Sequence, residues 1–232
     1  MNNADVLLDI ITEYISKLNI DYENPNPDGR VNSAINEGQI IQELPRLFET
    51  NDYIKTNKYK LNIPNIREWY DFGISKNDAE NYFVPVNIKV SRLSTDNLNC
   101  KLGIYFALTG LLPSNQITNE INWETFFQTL HNNINTYEDK DYYFLVVNKN
   151  SPTDCFWNSL KRLQSLTPNG NNLPFQTNWA RNRNRTERAH KDAVFFILSC
   201  LKESVYKRAD IKDSFDRYIT PLLCDNPQIM GE

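Results

Sequence analysis

The chain has 232 residues, 40% of them hydrophobic and 23% charged, enough to bury a substantial core as one mixed α/β domain with an elaborated end. Its formal net charge of −4 excludes a surface basic enough to coat nucleic acid wholesale, but leaves room for a local basic groove. No basic leader with an apolar run opens the chain, and no apolar run reaches the length that spans a bilayer.

In chain order, Ala4 to Leu18 is predicted to form an amphipathic helix, because Val6, Leu7, Ile10, Ile11, Tyr14 and Leu18 recur at helical spacing. Pro25, Pro27, Asp28 and Gly29 mark a loop. Ser33 then suits the cap of a second helix bearing Ile35, Ile40, Ile41 and Leu44, which Pro45 disrupts at its far end. Residues 61 to 74 and 82 to 91 read as strands. Thr95 and Asp96 open a helix through Cys100, Leu102, Ile104, Tyr105, Ala107 and Leu108, and Gly110 suits its left-handed C-cap. Trp123 to Ile134 reads as helix and Tyr142 to Val147 as a short buried strand. Pro168 to Asn178, rich in Asn and Pro, reads as loop, and a last helix runs from about Arg188 to Lys207 on a stripe of Ala193, Phe196, Ile197, Cys200 and Leu201. Cys100, Cys155, Cys200 and Cys224 lie far apart and form no metal spacing with the two histidines, so they are expected as reduced, buried thiols of a cytoplasmic protein.

The most informative stretch is Glu68, Trp69, Tyr70, Asp71, Phe72, Gly73, Ile74, followed after a loop by Val84, Pro85, Val86, Asn87, Ile88, Lys89, Val90. Side chains alternate across a strand, so Asn87 and Lys89 share one face while Ile88 and Val90 share the other. One face is free for chemistry and the other packs. An Asp at the edge of one strand and an Asn-x-Lys pair in the next resemble the PD-(D/E)xK nuclease core of many type II restriction endonucleases, where an Asp, a second oxygen ligand and a Lys converge on a scissile phosphate. Asn87 stands where that family has Asp or Glu, and Tyr70 where it has Pro. The run Thr95 to Gly110, ending Gly103, Ile104, Tyr105, Phe106, Ala107, Leu108, Thr109, Gly110, resembles the helix after the catalytic Lys in a set of these enzymes. Asn158 to Lys161 and Pro168 to Trp179 are similar to a later stretch, so the resemblance runs from about Gly29 to Trp179.

The resemblance implies an α/β (α+β) restriction-endonuclease-like fold, a central mixed β-sheet flanked by helices. Within it, residues 1–28 would be an N-terminal helix and loop, 29–150 the catalytic core, and 151–232 the DNA-recognition loop and C-terminal helix. It implies Mg²⁺ held by Asp71, Asn87 and a helix carboxylate, Glu37, with Glu43 as the second choice, and Lys89 beside the attacking water. An amide oxygen at Asn87 binds a cation less strongly than a carboxylate, which leaves one metal or two per site open. The implied activity is Mg²⁺-dependent cleavage of both strands of a specific, palindromic double-stranded DNA by a homodimer, with a separate methyltransferase as companion. A DNA repair or junction-resolving nuclease of the same superfamily, or a non-catalytic DNA-binding module, are the alternatives.

DNA contacts are expected at the densest basic cluster, Arg181, Arg183, Arg185, Arg188, His190 and Lys191, which an extended arm could lay along phosphates. Arg30 and Lys161 are further candidates. Asn172, Gln176 and Asn178 suit adenine in the major groove and lean the reading toward A·T pairs.

Overall fold

The computed structural model describes residues 3–18, 20, 22, 29–65, 68–77, 79–94, 96–98, 101–113, 121–170, 174–207 and 211–224, with backbone alone at 29, 30, 80 and 96–98. In chain order the elements are α1 Asn3–Ser16, α2 Gly29–Thr50, α3 Asp52–Thr56, β1 Tyr59–Asn62, β2 Phe72–Lys76, β3 Ala79–Ser91, β4 Asp96–Leu98, α4 Lys101–Thr109, α5 Trp123–Asn133, β5 Tyr143–Asn148, β6 Cys155–Ser159, β7 Thr167–Pro168, β8 Phe175–Asn178, α6 His190–Tyr206, α7 Lys212–Tyr218 and α8 Thr220–Cys224. A 3-10 turn covers Leu160–Arg162. They form two compact units, Met1–Thr95 with Tyr142–Ser159, and Asp96–Asp141 with Leu160–Glu232.

The first unit is a five-stranded sheet in the order β1-β2-β3-β5-β6. The central pair β3 and β5 is parallel and every other pair antiparallel, which makes the sheet mixed. Alternation puts Phe72, Ile74, Val84, Val86, Ile88, Leu145 and Val147 into one core with Leu7, Leu8, Ile11 and Ile15 of α1 and Ile40, Leu44 and Leu47 of α2. The Trp157 indole donates to Asp9 Oδ1 at 2.6 Å and ties β6 to α1.

Three sequence expectations change in this unit. The second helix begins at Gly29 and passes through Pro45, whose missing N–H costs about 3 kcal/mol in a helix interior. Leu44 and Leu47, 0% and 4% exposed on either side, offset that cost by burial. Ser33 is therefore inside the helix and not its cap. Residues 61 to 74 are the ends of two strands, with an irregular stretch about Pro64 between β1 and β2. Gly73 has no Cβ because one would lie 2.5 Å from the Phe83 ring, which covers β2 at that point.

In the second unit α4 is buried on all sides, Lys101 included; its Nζ donates to Ile121 O at 2.5 Å and lies 5.0 Å from the Trp123 ring centre. It starts at Lys101, because Asp96–Leu98 pairs as a strand with β8 in a small sheet β4-β8-β7. Gly110 ends it at φ 71°, the left-handed cap expected, and donates to Phe106 O at 2.7 Å. The region read as loop, Pro168 to Asn178, contributes β8, while the final helix starts at His190. Cys155, Cys200 and Cys224 are free thiols, but Cys155 is half-buried and Cys224 exposed; Cys100 lies outside the described residues. Among the described residues no helix is long and apolar enough to cross a membrane.

Candidate functional site

Strand β3 continues past the start of β2, since Phe72 pairs with Val86 and the next residues of β3 have no β2 partner. Asp71 fills that gap. Its N–H donates to Val86 O at 2.9 Å, and its Oδ2 accepts from the Ile88 N–H at 2.6 Å, standing in for the backbone carbonyl that the ladder lacks. The aspartate is thus held against β3 from both its backbone and its side chain. Two residues earlier the Tyr142 hydroxyl donates to Trp69 O at 2.6 Å, and Trp69, Tyr70 and Phe83 make edge-to-face contacts that fix the entry into β2.

On β3, Asn87 pairs in register with Phe144 and Lys89 with Val146, on the face opposite Val86 and Ile88. Asn87 Oδ1 is buried and has no hydrogen-bond partner. A buried acceptor left unmade costs about 1 to 3 kcal/mol, so the position marks a place built for a donor or a cation.

Helix α2 brings Glu37 to the same place. Burial first, and then the charge of Asp71, push its carboxyl up to about 7 against the opposing effects of Lys89 and a 2.9 Å hydrogen bond from Ser33 Oγ. Burial likewise raises Asp71, opposed by the Ile88 hydrogen bond and by Lys89. Each carboxyl therefore senses the same ammonium, and Glu37 senses its neighbour's negative charge. Glu43 lies elsewhere on the helix, where its Oε2 accepts from the Tyr14 hydroxyl of α1 at 3.4 Å. Of the two helix carboxylates, Glu37 is the one at the strand pair.

The residues fit a divalent cation. Two half-buried carboxylates resist carrying two charges together, and an amide oxygen beside them lacks a partner; a hard cation relieves both. Among the described residues no three His, Cys, Asp or Glu side chains gather. Ser33 reads in the sequence as a helix cap and not as the partner of Glu37, and the support at Trp69 and Tyr142 is not indicated there. The spacing of Ser33 to Glu37, one helical turn, was the available signal.

The expected DNA contacts lie in the second unit, apart from Arg30, whose side chain is outside the description. Arg181, Arg183 and Arg185 are exposed on an irregular segment, and Lys191 is exposed in the first turn of α6. That segment is not a loose arm. Asn182, fully buried, donates to Ser165 O and Asn178 O at 3.0 and 2.7 Å and accepts from Ser165 N, and Thr186 N donates to Arg162 O at 2.8 Å.

Two expected contacts are already committed within the protein. Arg188 donates to Lys161 O and Leu163 O at 3.2 and 2.7 Å and stacks 4.2 Å above the Phe196 ring. Lys161 is 8% exposed, and its Nζ donates to Glu138 O at 2.9 Å and to Lys140 O. His190 Nε2 lies 2.8 Å from Asn135 Oδ1. Gln176 and Asn178 are half-buried on β8, Asn178 Oδ1 accepting from Arg181 N at 3.3 Å, while Asn172 lies outside the described residues. No protein-family model matches the chain, and no curated protein matches it.

Proposed function

We propose that this protein is a Mg²⁺-dependent type II restriction endonuclease with a restriction-endonuclease-like fold, cutting both strands of a specific double-stranded DNA site as a homodimer. The observation that carries the reading is the convergence of Glu37, Asp71 and Lys89 beside the unpartnered Asn87 oxygen where β3 outruns β2. Asp71 and Glu37 would hold the cation through carboxylate oxygens and Asn87 through Oδ1. When bound, Mg²⁺ supplies Lewis acidity at the phosphoryl oxygens and lowers the pKa of a coordinated water.

The chain's own contribution is placement. The Ile88 N–H holds one Asp71 oxygen and so fixes the direction of the other. Ser33 does the same for Glu37. Lys89 sets a positive charge beside these groups, where it favours the hydroxide form of the attacking water or orients it. A two-fold dimer would present two such sites to opposite strands of a palindrome. Arg181, Arg183, Arg185 and Lys191 supply exposed cations for the phosphate backbone.

The test is digestion of a long DNA with purified protein and Mg²⁺. Discrete fragments are expected. A smear would replace restriction with non-specific or repair cleavage, and a mobility shift without cutting would leave a DNA-binding module.

A further inference from the structure

Ile134, the residue that closes α5, with Val194, Phe195 and Leu198 of α6 and Leu222 and Leu223 of α8, walls a cavity of about 540 Å³ within the second unit. Pockets that take a small molecule hold about 300 to 1,000 Å³, and their walls are mostly apolar with a few polar groups to orient the occupant. The polar lining here comes from Asn135 and Glu138 and from the first turn of α6, His190 and Lys191. His190 Nε2, 2.8 Å from Asn135 Oδ1, joins the two sides. That edge is fixed in place: Asn135, at φ 64°, donates its N–H to Leu108 O at 3.0 Å, and Tyr137 N donates to Thr109 O at 2.9 Å.

The two charges at this edge are not equally engaged. Glu138 has a counter-charge inside the chain, the buried Lys161 ammonium, which also donates to the Glu138 carbonyl at 2.9 Å. Lys191 is exposed, and among the described residues nothing engages its ammonium. An apolar cavity with a free cation at its edge is complementary to a molecule with an apolar body and an anionic head. One cation matches one charge, which a carboxylate carries, whereas a phosphate head would bring nearly two beside Glu138. We propose that this cavity binds a medium-chain carboxylate, its hydrocarbon body against Leu198, Leu222 and Leu223 and its head on the Lys191 ammonium. The site lies in the other unit from the strand pair and does not depend on the nuclease reading.

Lys191 is also one of the cations offered to DNA, so binding is measured without DNA, by calorimetric titration of the full chain with octanoate, octyl phosphate and the neutral 1-octanol. Octanoate is expected to saturate a single site per chain in wild type and in Lys191→Arg, and to bind about tenfold more weakly in Lys191→Gln, the worth of one charge-assisted hydrogen bond. 1-Octanol should bind wild type and Lys191→Gln alike, and Leu222→Gln should weaken both octanoate and 1-octanol. Lys191 is exposed, so its variants carry the test if Leu222→Gln fails to fold. Wild-type protein that shows no saturable octanoate binding overturns the site. Equal octanoate affinity in wild type and Lys191→Gln, or octanoate binding unchanged in folded Leu222→Gln, overturns the assigned pose and with it the proposal. Octyl phosphate that binds more tightly than octanoate overturns the carboxylate in favour of a phosphate head.

Discussion

The two regions that carry charge are built in opposite ways. Where β3 outruns β2, Glu37 and Asp71 are half-buried, each held by one hydrogen bond, from Ser33 Oγ and from the Ile88 N–H, and the buried Asn87 Oδ1 has no partner. In the segment Arg181–Lys191 the buried Asn182 and the half-buried Arg188 are satisfied within the chain, while Arg181, Arg183 and Arg185 remain exposed. Unsatisfied burial is costly and persists where a ligand completes it; exposed charge on a pinned backbone costs little and acts through a screened field. The first region is suited to holding a cation tightly and the second to long-range, salt-sensitive attraction.

The sharpest separation of the two regions is expected from Lys89→Ala. Cleavage should fall by about 100-fold or more while duplex binding in Ca²⁺ is retained, since the change removes a group acting on the water. Cutting at more than a few per cent of the wild-type rate, measured in single-turnover digests, would remove Lys89 from the chemistry.

Glu37 gives the next effect, through pH. Its folded value of about 7 lies above its ordinary 4.5, so between these pH values the folded chain keeps a proton that the unfolded chain has lost. Stability without metal therefore falls as pH rises through that window, by about 1 to 3 kcal/mol, and the loss is complete above about 7. Melting temperatures should decline over this range in wild type and decline less in Glu37→Gln. Mg²⁺ binds the ionised form, so its stabilising shift should grow from pH 6 to pH 8 in wild type only. A parallel decline in both proteins would show that Glu37 does not titrate there.

Asn182→Ala breaks the comparison from the other side. It removes three hydrogen bonds at a fully buried position and should cost about 2 kcal/mol of stability, whereas Arg181→Ala, Arg183→Ala and Arg185→Ala should leave the melting temperature nearly unchanged. Each arginine variant should instead lower the salt slope of DNA binding by about 0.9. Slopes that do not move would reduce the segment to a solvated surface.

Asn87 sets the smallest expected change. Asn87→Asp adds a charge at the same shape and should lower the Mg²⁺ concentration for half-maximal cutting several-fold, and Asn87→Ala should raise it. Insensitivity to both would make Asn87 structural.

That Asn87 and Lys89 share one face of β3 could be read in the sequence because period-two alternation is local and holds whatever the rest of the chain does. The same holds for Gly110, whose left-handed cap follows from the helix before it. What could not be read depends on distant partners. β4 and β8 are short and exist by pairing with each other across the chain. Lys161 and Arg188 look like free cations in sequence, and their carbonyl partners come from segments some twenty residues away or more. Pro45 looks like a helix end because the apolar burial of Leu44 and Leu47 that outweighs it is tertiary.

The most direct measurement compares wild type with Asp71→Ala on the same long DNA, each with Mg²⁺ and with EDTA, at equal protein concentration. Fixed fragments from wild type with Mg²⁺, and intact DNA in the other three reactions, are expected if Asp71 holds the cation that cuts. Normal cutting by Asp71→Ala, or cutting by wild type in EDTA, would contradict the assignment of this strand pair as the metal-dependent site.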